Sequence, residues 1–75
     1  MKSITVLLNT TDNVKSFVNI LAKYDYDMDL RSGRYVVDAK SILGIFSLDL
    51  NKPVVLEVFD EDCENLIEDI KPFIC

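Results

Sequence analysis

Along this chain the apolar residues change their spacing, from every second residue to every third or fourth and back again. That switching restricts the fold more than any other feature. In "SITVLL", residues 3–8, Ile4, Val6 and Leu8 share one face at the period of a strand. After the turn-forming "NTTDN", Val14, Phe17, Val18, Leu21 and Tyr24 recur at helical spacing, which predicts an amphipathic helix over residues 12–24. Thr11 or Asp12 is its expected cap, with a side-chain oxygen accepting from a first-turn N–H. "DMDLRS" alternates again, with Met28 and Leu30 pointing one way and Asp27, Asp29 and Arg31 the other. Ser32 and Gly33 supply a tight turn into "RYVVD", so the two runs form a hairpin.

The second half repeats the pattern. "AKSILGIFSLDL" predicts a short helix over residues 42–48, capped by Ser41, with Gly44 inside it at some cost in propensity. "NKP" ends that helix, and "VVLEVF" is a strand with Val54, Leu56 and Val58 facing inward. "DEDCENLIEDIKPF" sets Cys63, Leu66, Ile67 and Ile70 on one helical stripe, with acids in the first turn, where the helix dipole favours them. The order is β-α-β-β-α-β-α. Strands apolar on one face need helices on that face and can leave the other to water. The expected fold is therefore α+β: an open-faced β-sandwich with a four-stranded antiparallel sheet and three helices on one face, in a single domain over residues 1–75. Its expected core contains Val6, Phe17, Leu21, Leu30, Val37, Leu56, Leu66 and Ile70.

Composition narrows the function. An apolar content of 49 % supplies a small core and is too high for disorder. No apolar run approaches the ~18 residues that span a bilayer, which points to a soluble, cytoplasmic chain. The two cysteines, Cys63 and Cys75, form no C-x-x-C motif, and there is no histidine to complete a metal site. No metal or cofactor is expected, and free thiols suit a reducing compartment. The net charge is −5, with acids crowded into "DYDMD" and "FDEDCENLIED". Such a surface repels nucleic-acid backbones and anionic membranes, and as a solvated face it keeps a small protein monomeric. No nucleophile stands with a base, and two glycines in all cannot build a phosphate-cradling loop. The residues give no sign of an enzyme.

The element order, with "AKSILGIFSL" on the second helix, resembles the histidine-containing phosphocarrier protein HPr of the bacterial sugar phosphotransferase system. The similarity covers nearly the whole chain. Residues 22–50 look like the family's hairpin and regulatory-serine helix, and "NKPVVLEVFDEDCENLIEDI" is similar to its fourth strand and last helix. The resemblance implies a sheet order of 1-4-2-3. It also implies a histidine-x-arginine-proline run at the start of the first helix, where the histidine accepts phosphate from enzyme I. This chain has "NTTDNVKSF" there, so Thr10, Thr11, Asp12 and Asn13 stand in a degenerate version of that loop. Asp12 places a carboxylate where an incoming phosphate needs a positive field, and first-turn capping accounts for it without phosphate chemistry.

Ser41 matches the serine that a dedicated kinase phosphorylates in part of the family, and serine is also a preferred N-cap without any kinase. The resemblance further implies that Ile42, Leu43 and Phe46 are exposed for docking partner proteins, while Ile45 and Leu48 pack inward. Spacing alone is equally satisfied if all three are ordinary core. Two functions follow as expectations. One is an HPr-like protein without histidine phosphotransfer that binds a protein partner, such as a phosphotransferase-system or carbon-regulation protein, as a decoy or regulator. The other is a small-molecule-binding or allosteric α+β module whose "NTTDN" loop meets a polar ligand with its hydroxyls and amides.

Overall fold

The computed structural model describes residues 1–75. In chain order it contains β1 (Lys2–Val6), α1 (Thr11–Leu21), β2 (Met28–Ser32), β3 (Tyr35–Asp38), α2 (Ile42–Phe46), β4 (Val54–Val58) and α3 (Glu64–Asp69), followed by a 3₁₀ turn over Lys71–Phe73. The strands form one sheet in the order β1-β4-β2-β3, and every neighbouring pair is antiparallel. This is the expected α+β open sheet with three helices, in the strand order that the resemblance implies.

Register decides which side chains meet the helices. Ile4, Leu56, Leu30 and Val37 stand directly opposite one another across the sheet, with Val6 and Val54 paired two residues along. On that face the helices contribute Val14, Phe17, Val18, Leu21, Ile45 and Leu66 to one continuous buried cluster. Every expected core residue belongs to this cluster except Val37, which is half-buried and packs against it. Its strand, β3, lies at the sheet edge, so neighbours cover it from one side only. Gly44 lets α2 lie close above it, since a Cβ on Gly44 would stand 3.2 Å from Val37 Cβ.

The other face carries Ser3, Thr5, Asp29, Arg31 and Glu57. Glu57 is the one acid in "VVLEVF", and it is buried. Arg31 makes that tolerable: its Nε and Nη2 donate to Glu57 Oε1 at 3.0 and 2.9 Å. A buried carboxylate needs such a partner.

Several boundaries differ from the expectation, each for a local reason. The N-cap of α1 is Thr10, not Thr11 or Asp12: its extended backbone (φ −134°, ψ 155°) lets Oγ1 accept from Asn13 N–H at 3.1 Å. β1 ends at Val6, because Leu7 N–H donates to Phe73 O and leaves the sheet ladder, while Leu8 is buried beyond the strand. α2 stops at Phe46, with Ser47 as its C-cap. α3 starts late: Asp60 Oδ1 accepts from Asp62 N–H at 2.9 Å, a local turn that competes with helix. Cys63 is therefore the buried N-cap residue instead of a member of the helix. Pro72, without an N–H, sits in the 3₁₀ turn.

The first helix also ends early, at Leu21, because Tyr24 serves a different contact. Tyr24 Oη donates to Asp69 Oδ2 at 2.5 Å, and Tyr26 Oη donates to Asp62 O at 2.6 Å. The two rings stack with centroids 5.7 Å apart, and together they strap the α1–β2 connection to the α3 region. The hydrogen bond to Asp69, then desolvation and the carboxylate charge, push the Tyr24 phenol from 10.0 up to about 12. Desolvation, then the charges of Asp60 and Asp62, raise Tyr26. The folded chain thus holds these protons more tightly than the unfolded chain. The stability that Tyr24 contributes is complete below the unfolded value near 10 and is lost as pH climbs towards 12, and Tyr26 contributes in the same direction. Denaturation at stepped alkaline pH should show that decline, and Tyr24→Phe should flatten it. An equally steep decline in Tyr24→Phe would remove Tyr24 as its source.

Candidate functional site

α2 is the element that presents chemistry outward. It begins at residue 42 because Ser41 has an extended backbone (φ −98°, ψ 107°) and its Oγ accepts from Gly44 N–H at 3.2 Å. This satisfies one of the first-turn donors that have no partner inside a helix. At the other end Ser47 Oγ donates back to Gly44 O at 2.6 Å. The helix therefore has serine caps at both ends and is five residues long.

So short a helix can be apolar on both sides, and this one is. Ile45 is fully buried, and Leu48 just beyond the helix is 8 % exposed, so both pack inward. Facing away, Ile42 is 37 % exposed, Phe46 40 % and Leu43 85 %. Ile42 and Phe46 are four residues apart on one face, and Leu43 stands out furthest. No charged side chain lies within α2. Lys40, just before the cap, is committed to the fold, since its Nζ donates to Tyr24 O at 2.5 Å.

A test of Ser41 follows from its geometry. Ser41→Ala should lower stability by about 1 kcal/mol, as for other capping serines. Ser41→Asp should retain most of it, because a carboxylate can take the same bond and suits a helix start. Urea unfolding of the three proteins measures both, and an alanine variant as stable as the parent would show that the cap contributes nothing.

The second group of expected site residues lies on another helix. Thr10 caps α1, Thr11 and Asp12 are exposed in its first turn, and Asn13 is half-buried. Asn13 Nδ2 donates to Asn9 Oδ1 at 3.3 Å while its backbone N–H donates to Thr10 Oγ1, so the side chains of Asn9, Thr10 and Asn13 are all engaged within the loop. The stretch 9–13 contains no basic side chain. Neither of the two surface clefts of the molecule is lined by any of these residues. No hydrogen bond joins this turn to α2, although the two helices pack together. The arrangement at α1 closes a helix end; the arrangement at α2 exposes an apolar surface.

Sequence reasoning missed two features. The lone acid inside "VVLEVF" was a signal for a buried carboxylate paired with a cation, and tyrosines interleaved with acids in "KYDYDMD" were a signal for phenol ties such as Tyr24 to Asp69.

Comparison with known proteins gives consistent findings. The family model described as the PTS HPr component phosphorylation site matches residues 11–75. Curated protein sequences give no match. Among solved structures, HPr-C-His from Thermoanaerobacter tengcongensis superimposes with a TM-score of 0.79 at 25 % identity, over 96 % of this chain and 89 % of that one. A phosphocarrier protein HPr from Bacillus anthracis str. Ames gives a TM-score of 0.76 at 23 % identity, over 99 % and 94 %. The histidine-containing phosphocarrier protein of a structure concerned with the divergence of Mycoplasma from Gram-positive bacteria gives 0.74 at 10 % identity, over 95 % and 89 %, a likeness of fold alone.

Proposed function

This chain belongs to the PTS HPr family and has the fold of HPr, and from that premise we propose that it works without histidine phosphotransfer, by binding another protein through α2. The observation that carries the reading is the outward trio Ile42, Leu43 and Phe46 on a helix whose other side is core. Exposed apolar side chains grouped on one element mark interaction surfaces. The chain has no histidine to phosphorylate, so the binding surface is the part of the family's equipment that persists. It acts by association and not by catalysis, as a regulator or decoy among cytoplasmic phosphotransferase-system or carbon-regulation proteins. No helix is long and apolar enough to cross a membrane. Ser41, half-buried at the edge of the trio, is the regulatory position in this reading. Phosphate there would add about −1.5 to −2 charges beside the docking face, and an HPr-type kinase should label Ser41 alone.

Enzyme I is the first partner to test. Incubation with enzyme I and labelled phosphoenolpyruvate should leave the protein unlabelled, while titration of the isotope-labelled protein with enzyme I should shift the amides of residues 41–47. Stable label on this chain would refute the absence of phosphotransfer. Shifts that avoid α2 would refute the docking face.

A further inference from the structure

The β2–β3 turn and the connection from α2 to β4 line opposite sides of a surface cleft of about 680 Å³. This lies within the ~300–1,000 Å³ typical of small-molecule sites. Gly33, at φ +59°, closes the two-residue turn and sets Arg34 at its tip. Tyr35 follows as the first residue of β3, with its side chain 75 % exposed. Lys52 and Pro53 come from the α2–β4 connection, after Leu48 and Asp49.

The fold makes no use of the two cations. The ion pairs of the chain are Arg31–Glu57 and Lys71–Glu68, and neither Arg34 nor Lys52 donates a side-chain hydrogen bond. Asp49 is the one acid in the cleft, and its Oδ1 accepts from Asn51 N–H at 3.2 Å within its own turn. Two free cations against one acid make a positive site on a chain of net charge −5. Beside them lies an exposed aromatic ring.

We propose that this cleft binds a small organic phosphate carrying a planar ring, the chemistry of a nucleoside monophosphate. The guanidinium of Arg34 presents a planar fork that matches two phosphate oxygens, and Lys52 adds a point charge. The ring of the ligand lies on Tyr35, whose face offers the stacking surface that bases use on aromatic side chains. The site shares no residue with the α2 docking face.

The test is a titration of the isotope-labelled protein, at low ionic strength, with adenosine 5′-monophosphate, adenosine and inorganic phosphate in turn. The monophosphate should shift amides in residues 32–35 and 47–52 saturably, and each fragment should bind at least about tenfold more weakly. Arg34→Gln and Lys52→Gln should each weaken it by about tenfold. Tyr35→Ala should abolish its advantage over inorganic phosphate, and Asp49→Asn should tighten it by removing a like charge. All four side chains are exposed, so unchanged melting of each variant is expected. No saturable shift at millimolar monophosphate, shifts elsewhere on the protein, or equal binding of inorganic phosphate would overturn the proposal. So would undiminished affinity in the double variant Arg34→Gln, Lys52→Gln.

Discussion

Replacing Phe17 with alanine should lower the unfolding free energy by about 3–5 kcal/mol, the range for large aromatic truncations in cores. Phe17 is fully buried in the middle of α1, and its ring meets Phe73 edge-on, with centroids 5.7 Å apart and planes at 86°. The substitution therefore removes a core side chain together with an aromatic pair worth roughly 0.5–1.5 kcal/mol beyond its area. Stability of roughly 0.05–0.15 kcal/mol per residue leaves a chain of 75 residues about 4–11 kcal/mol in all. The substitution should therefore remove between about a quarter and nearly all of the chain's stability. The loss should appear as a melting temperature lower by roughly 12 °C or more. Phe59 is the control: it is 50 % exposed, and its truncation should cost only about 1 kcal/mol, half of what full burial of such a ring contributes. A Phe17→Ala loss below about 1 kcal/mol would mean that α1 and the C-terminal turn do not share one core.

Introducing a carboxylate at Leu43 should abolish the proposed docking through α2 while leaving the fold intact. Leu43 is 85 % exposed and is the second residue of α2, whose first turn carries no acid. An aspartate there loses little burial and favours the start of a helix, so Leu43→Asp should melt within a few degrees of the parent. In a complex the same carboxylate would be desolvated among apolar partner atoms without a cation. Leaving a charge unpaired in that way costs about 3 kcal/mol or more, which is roughly a hundredfold in affinity. Titration of enzyme I against both proteins reads the difference. Wild-type affinity in Leu43→Asp would show that the trio is not the contact surface. Phe46→Ala makes a graded companion, because Phe46 is 40 % exposed and part of its ring belongs to the domain's own packing.

Local chemistry made some residues legible and left others undecided. Ser41 was readable as a cap because the bond it makes, to Gly44 N–H three residues on, is contained in the helix it opens. The cap of α1 was not, because "NTTDN" is made of residues that all cap well, and only the path of the chain into the helix selects Thr10. Tyr24 has the right spacing for α1 but lies outside it, since its hydroxyl reaches Asp69, forty-five residues away in sequence. The acids of "DEDCENLIEDIKPF" favour a first turn in general and so predict a longer helix, whereas here Asp60 accepts from Asp62 N–H and α3 begins only at Glu64. The outward trio was ambiguous for a related reason: the same spacing suits a helix buried on all sides and one buried on a single side.

What the sequence determined by itself is what depends on near neighbours or on composition. The faces of the strands follow from alternation in "SITVLL" and "DMDLRS", the hairpin from Ser32 and Gly33, and the α2 cap from Ser41. The lack of any histidine is likewise a fact of composition. Only the tertiary structure decided what stays uncovered. Leu43 is open to solvent, Glu57 is buried beside Arg31, and Arg34 and Lys52 line one cleft although they belong to different connections. Spacing along a chain sets which way a side chain points within its own element. Exposure and charge pairing depend on which other element arrives over it, and that is set by how the helices and loops pack across the sheet.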